Sequence, residues 1–120
     1  MPIDSRTNKT SESVQFDEIL LKSIDEAFFS LGETVRQAIY FHLEEQFQIK
    51  EKQIPKHLKK FQAAIEKIFG SGARFLEILI MKNLYRNIGE KMILANDCSV
   101  DFVSYMNEAK KTFVNDKKTR

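Results

Sequence analysis

Cysteine, proline and glycine are all scarce in this chain of 120 residues, with one, two and four copies respectively. The lone Cys98 cannot close an intrachain bridge, which excludes a disulfide scaffold and fits a reducing cytosol. So few chain breakers favour few, long elements. Long hydrophobic runs are missing too. The longest apolar-rich stretch, residues 75–88, is interrupted by Glu77, Lys82, Asn83, Arg86 and Asn87 and falls short of the roughly 20 apolar residues that a bilayer span needs. The polar opening, residues 1–15, has no apolar core and does not read as a signal peptide. These absences point to a cytoplasmic chain with no membrane partner. Strand-length alternation of period two and internal repeats are likewise lacking, which removes sheets and solenoids. No P-loop, dinucleotide fingerprint or serine elbow occurs, so an enzyme is not expected.

What is present is a hydrophobic content of 42% that includes ten phenylalanines, enough for one domain that buries roughly two thirds of its unfolded surface. The expectation is an all-α bundle of five or six helices over residues 16–115, between a flexible tail at 1–15 and a frayed end at 116–120. Apolar residues at Phe16, Leu20, Ile24, Ala27, Phe28 and Leu31 recur at helical spacing, so a first helix is expected over 17–31 with Gly32 as its cap. A second helix, 34–47, starts at Thr34 with Glu33 at its positive end, and its wide stripe of Val35, Ala38, Ile39, His42 and Leu43 predicts burial on two sides. Pro55 reads as the first residue of a third helix that ends at Gly70. A fourth, 72–88, carries Phe75, Leu76, Leu79, Ile80, Leu84 and Ile88 inward, with Gly89 as cap. This third and fourth pair looks like the centre around which the rest packs. Residues 90–97 are read as polar and partly helical, and Ser99 as the cap of a fifth helix with Val100, Phe102 or Val103, Met106, Ala109 and Phe113 or Val114 inward.

Charge is uneven. From Glu12 to Glu45 eight acids face only Lys22 and Arg36, whereas 50–67 carries six lysines against Glu51 and Glu66. Such asymmetry marks either a docking face or ordinary solvated helix faces. Two glycines around Ser71, in Gly70-Ser71-Gly72, partly match a helix-hairpin-helix turn, in which backbone amides meet a phosphate. Arg74, Lys59 and Lys60 would add charge, making DNA-backbone contact one reading. The other is structural: Gly70 as a cap and Gly72 as a point where helices pass closely. His42 and His57 have no Cys or carboxylate at metal-ligand spacing, so neither a metal nor a cofactor is expected. Adjacent acids such as Glu44 and Glu45 diverge by about 100° on a helix and do not form an acid and base pair.

The pieces Leu31-Gly32, Ala38-Ile39-Tyr40, His42-Leu43-Glu44, Ile54-Pro55, Ile68-Phe69-Gly70, Gly72-Ala73, Leu76-Glu77 and Leu84-Tyr85 resemble a small archaeal family described as a Nitrosopumilus-type output domain, over about residues 23–89. The resemblance implies a helical, non-enzymatic signalling output domain with no catalytic residues. The leading functional expectation is therefore a protein interaction module, binding a protein partner or itself as a homodimer. Its contact patch is expected among the surplus apolar positions Phe29, Phe41, Met81 and Tyr85. Nucleic-acid binding through Gly70 to Arg74 is the alternative.

Overall fold

The computed structural model of the chain describes residues 11–89 and 101–118. Five α-helices are described: α1 (Ser11–Phe29), α2 (Glu33–Phe47), α3 (Leu58–Phe69), α4 (Ala73–Ile88) and α5 (Phe102–Lys118). Two 3-10 turns, Glu51–Lys56 and Gly70–Gly72, lie before and after α3. The fold is an all-α bundle. Helix α1 takes in residues 11–15, which the polar composition assigned to a tail. The expected structure at 90–97 and the cap at Ser99 lie outside the described residues. Helix α5 begins at Phe102, where Asp101 Oδ2 accepts from the Ser104 amide at 3.0 Å. That is the usual N-cap arrangement, satisfying a donor that the first helical turn leaves open.

The α1 stripe is buried at Phe16, Leu20, Ile24, Ala27 and Phe28, but the helix ends at Phe29 rather than 31, and Leu31, expected inside, is exposed. The largest interface of α4 is with α1, not with α3. The central pair is thus α1 and α4, and the polar side chains at their seam explain why hydropathy pointed elsewhere. Asn83 Nδ2 donates to the Ser23 carbonyl at 3.2 Å, Asn87 Nδ2 donates to Ser23 Oγ at 2.9 Å and to Glu26 Oε1 at 3.1 Å, and Arg86 reaches the same Glu26 oxygen at 3.2 Å. Ser23 and Asn83 are buried, which costs little only because these bonds replace water. The buried stripe of α4 runs Ala73, Leu76, Glu77, Ile80, Met81, Asn83 and Leu84. Phe75, expected inside, projects to solvent at 72% exposure.

Several ends differ from the sequence reading for local reasons. Gly32 caps α2, so Thr34 sits inside the helix and no side chain caps its start. Pro55 lies within the 3-10 turn, and α3 starts only after His57, whose amide is taken by the Ile54 carbonyl at 3.0 Å. Between them Gln48 adopts a left-handed conformation with φ 54°, and the Ile49 amide closes on the Leu43 carbonyl at 2.9 Å. That turn drops Ile49 and Ile54 into the core, where both are buried. The linker is pinned at both ends.

A row of rings crosses the bundle: Tyr40 of α2 to Phe28 of α1 at 5.2 Å, Phe28 to Phe61 of α3 at 6.4 Å, and Phe61 to Phe102 of α5 at 6.2 Å. Helices α2 and α5 lie at opposite ends of this row and do not touch.

Candidate interaction surface

Helix α2 is held by one polar cluster and one apolar seam. Asp25 Oδ1 on α1 accepts from Arg36 Nε at 2.7 Å and from the Tyr40 hydroxyl at 3.0 Å. Glu33 binds Arg36 at 3.0 Å and Gln37 at 2.7 Å from the other side. Burial, then the bond to Asp25, pushes the Tyr40 phenol above its ordinary value of 10.0, because both disfavour the phenolate. The hydrogen bond to Asp25 likewise raises the Arg36 guanidinium. With Ile39 and Leu43 the only buried residues of α2, its contacts fall on one side. The expected burial on two sides does not occur.

The other side of α2 is therefore open. Residues 100° apart at successive positions cannot all face inward. Tyr40 turned to Asp25 and Leu43 turned to the core leave Phe41 outside at 61% exposure. Val35 is also exposed, at 39%, and the preceding turn adds Phe29 at 59% and Leu31 at 38%. Four of the six exposed large hydrophobics among the described residues thus come from one stretch, residues 29–41. Glu44 and Glu45, three and four positions beyond Phe41, border the patch on the same face. They are exposed, and no ion pair engages either among the described residues. His42 lies beside Phe41, ring to ring at 5.8 Å, with Nδ1 buried and lacking a hydrogen-bond partner among the described residues.

The four patch positions expected from sequence divide evenly. Phe29 and Phe41 are on this surface. Met81 is fully buried, on the α4 face that meets the core, and cannot contact a partner. Tyr85 is half-buried against Tyr105 of α5, edge to face at 6.2 Å, so it belongs to the α4 and α5 seam. Leu31 and Val35 were missed as patch members because their helical spacing resembles core spacing.

The phosphate-contact set is spread out. Gly70, Ser71 and Gly72 are exposed, but the Ala73 amide is already given to the Gly70 carbonyl. Arg74 pairs with Glu77 at 3.5 Å, which offsets its charge next to the turn. Glu77 is buried, and its Oε2 has no hydrogen-bond partner among the described residues. Desolvation, then the nearby Glu66, raises its carboxyl above the usual range, against the opposing pull of Arg74 and Gln62. Lys59 and Lys60 lie at the far end of α3, about 16 Å from Gly70 along the axis at about 1.5 Å per residue. They do not converge with Arg74 on one phosphate. Gly72 does not mark a close helix approach either, since a Cβ there would meet nothing within 4 Å.

The lysines instead border a different feature. An open groove of about 430 Å³ between the start of α3 and α5 is lined by Pro55, Leu58 and Val103 together with Lys56, Lys59 and Lys60. Among the described residues no group of three or more His, Cys, Asp or Glu could hold a metal ion, and no helix is long and apolar enough to cross a membrane. No family model, curated protein or solved structure matches the chain.

Proposed function

We propose that this protein is a non-catalytic interaction module that docks a protein partner on the outer face of α2 and the turn before it. The observation that carries the reading is the concentration of exposed Phe29, Leu31, Val35 and Phe41 within one short stretch. Single exposed apolar residues are ordinary, whereas several gathered in one short stretch beside exposed charge are characteristic of contact surfaces. The rim here is acidic. It selects a partner whose apolar ridge is flanked by Lys or Arg. A symmetric dimer joining α2 to α2 would set Glu44 and Glu45 against like charges, so the homodimer is the less favoured form. A cytoplasmic signalling output role, as the sequence resemblance implies, agrees with a module that acts by being bound.

The test uses a labelled amphipathic helical peptide of Leu and Lys, titrated with the protein and followed by anisotropy. Saturable binding is expected, weakened at least about tenfold by Phe41→Ser, the loss of about 1.4 kcal/mol that marks an important contact. Equal binding by the Phe41→Ser variant would contradict the proposal.

A further inference from the structure

The partner surface that the α2 patch selects is apolar at its centre and basic at its rim, and this chain carries one. The open groove beside α3 is lined by apolar Pro55, Leu58 and Val103 together with Lys56, Lys59 and Lys60. All three lysines are exposed, and no ion pair engages them among the described residues. The patch offers the complement: the Phe41 ring at the centre, with Glu44 and Glu45 beside it. Charges of opposite sign, both without an ion pair among the described residues, thus border two surfaces that carry exposed apolar side chains.

We propose that the occupant of the groove is a second copy of this chain, which inserts Phe41 and sets Glu44 and Glu45 against Lys59 and Lys60. The assignment rests on the reading of α2 as the docking face. The two surfaces differ, and α2 and α5 stand at opposite ends of the ring row, so the contact is heterologous. The dimer keeps one free groove on one copy and one free patch on the other, and assembly continues past the dimer into a ring or a filament. A single aromatic anchor with a few surrounding side chains makes a small interface, of the size found in weak, transient contacts. The ion pairs at its rim are solvent-facing, so association falls as salt rises.

Sedimentation velocity on the full chain at roughly 10 to 500 µM, the range where weak interfaces associate, gives the test with two charge-reversal variants, Glu44→Lys with Glu45→Lys and Lys59→Glu with Lys60→Glu. All four positions are exposed, and circular dichroism checks that each variant folds. The wild type is expected to sediment faster with concentration, beyond dimer, and less so in high salt. Each variant alone presents like charges at both surfaces and is expected to stay monomeric. An equimolar mixture places opposite charges at both kinds of contact and is expected to restore assembly. Phe41→Ser added to both variants should remove that restored assembly, which attraction between net charges alone would leave in place.

Four results overturn the proposal in distinguishable ways. A wild type that is monomeric throughout but binds the Leu and Lys peptide through Phe41 removes the second copy and leaves α2 as the docking face. Association that survives Lys59→Glu with Lys60→Glu removes the groove. A monomeric wild type that binds labelled single-stranded DNA, with binding lost in the Lys59→Glu, Lys60→Glu variant, assigns the groove to nucleic acid instead. If Phe41→Ser changes neither association nor peptide binding, the docking face falls as well.

Discussion

The Tyr40 hydroxyl donates to Asp25 Oδ1 across 3.0 Å, joining α2 to α1. This bond and the Arg36 pair at 2.7 Å on the same oxygen fix the rotation of α2 about its axis. Once Tyr40 faces α1, its neighbour Phe41 is carried round to solvent. The exposure of Phe41 follows from a polar contact made on another side of the helix.

The first prediction concerns that phenol. An ordinary tyrosine ionises near 10.0, whereas burial and the Asp25 bond keep Tyr40 protonated well above that. Absorbance at 295 nm from about pH 9 to 11 should therefore be the same for wild type and Tyr40→Phe. An extra tyrosinate in the wild type with a midpoint near 10 would contradict this. The substitution also removes one hydrogen bond and is expected to lower stability by about 0.5 to 1.5 kcal/mol.

The two glycines beside Ser71 should respond in opposite senses. Gly70 has φ 59° and ψ −131°, a conformation that side chains rarely adopt, so Gly70→Ala is expected to cost about 1 to 3 kcal/mol. Gly72 has φ −77° and ψ −11° with open space at its Cβ position. Gly72→Ala should be neutral or stabilise by up to about 1 kcal/mol, by restricting the unfolded chain. Urea melts of both variants give the comparison, and equal losses would mean that Gly72 has a packing role.

Glu77 gives the fold a pH dependence of known sign. Unfolded, it ionises near its ordinary value of 4.5, whereas burial keeps the folded carboxyl protonated to higher pH. Between those two values the native state binds more protons than the unfolded chain, so this contribution is full below 4.5 and declines as pH rises. Glu77→Gln removes the decline. The stability of the variant relative to wild type, from urea melts near pH 4.5 and pH 7.5, should become more favourable at the higher pH. A difference that does not change with pH would place the Glu77 carboxyl in an ordinary environment.

Stability should separate patch from core. Phe41→Ser removes an exposed ring and is expected to change stability by no more than about 0.5 kcal/mol. Phe61→Ala empties the middle of the ring row and should cost about 3 to 5 kcal/mol. Thermal or urea unfolding distinguishes them, and a large loss at Phe41 would show that it packs inside.

The helices were legible in the sequence wherever one face is uniformly apolar. Phe16, Leu20, Ile24 and Phe28 of α1 and Met106 and Ala109 of α5 are buried as their spacing requires, and of the alternatives left open on α5 it is Phe102 and Phe113 that turn inward. Legibility failed on α4, because its buried stripe includes Glu77 and Asn83, and a hydropathy pattern assigns such residues to solvent. The pattern accordingly turned Phe75 inward. Asn83 is buried through a partner 60 positions away, which no local reading supplies. On α2, apolar residues wrap much of the helix, and the pattern could not say which of them meet the core. Asp25 decides it, from another helix. The same holds for the patch: Phe29 and Phe41 were identifiable as surplus, but separating them from Met81 required the rotation of α4.

The central claim is that the outer face of α2 is where this protein is bound. Amide chemical-shift mapping on isotopically labelled protein, during titration with the Leu and Lys peptide, tests it most directly. The account predicts shifts concentrated in residues 29–45, with little change along α4, and their loss in Phe41→Ser. Shifts centred instead on 70–75, or spread evenly over the bundle, would contradict it.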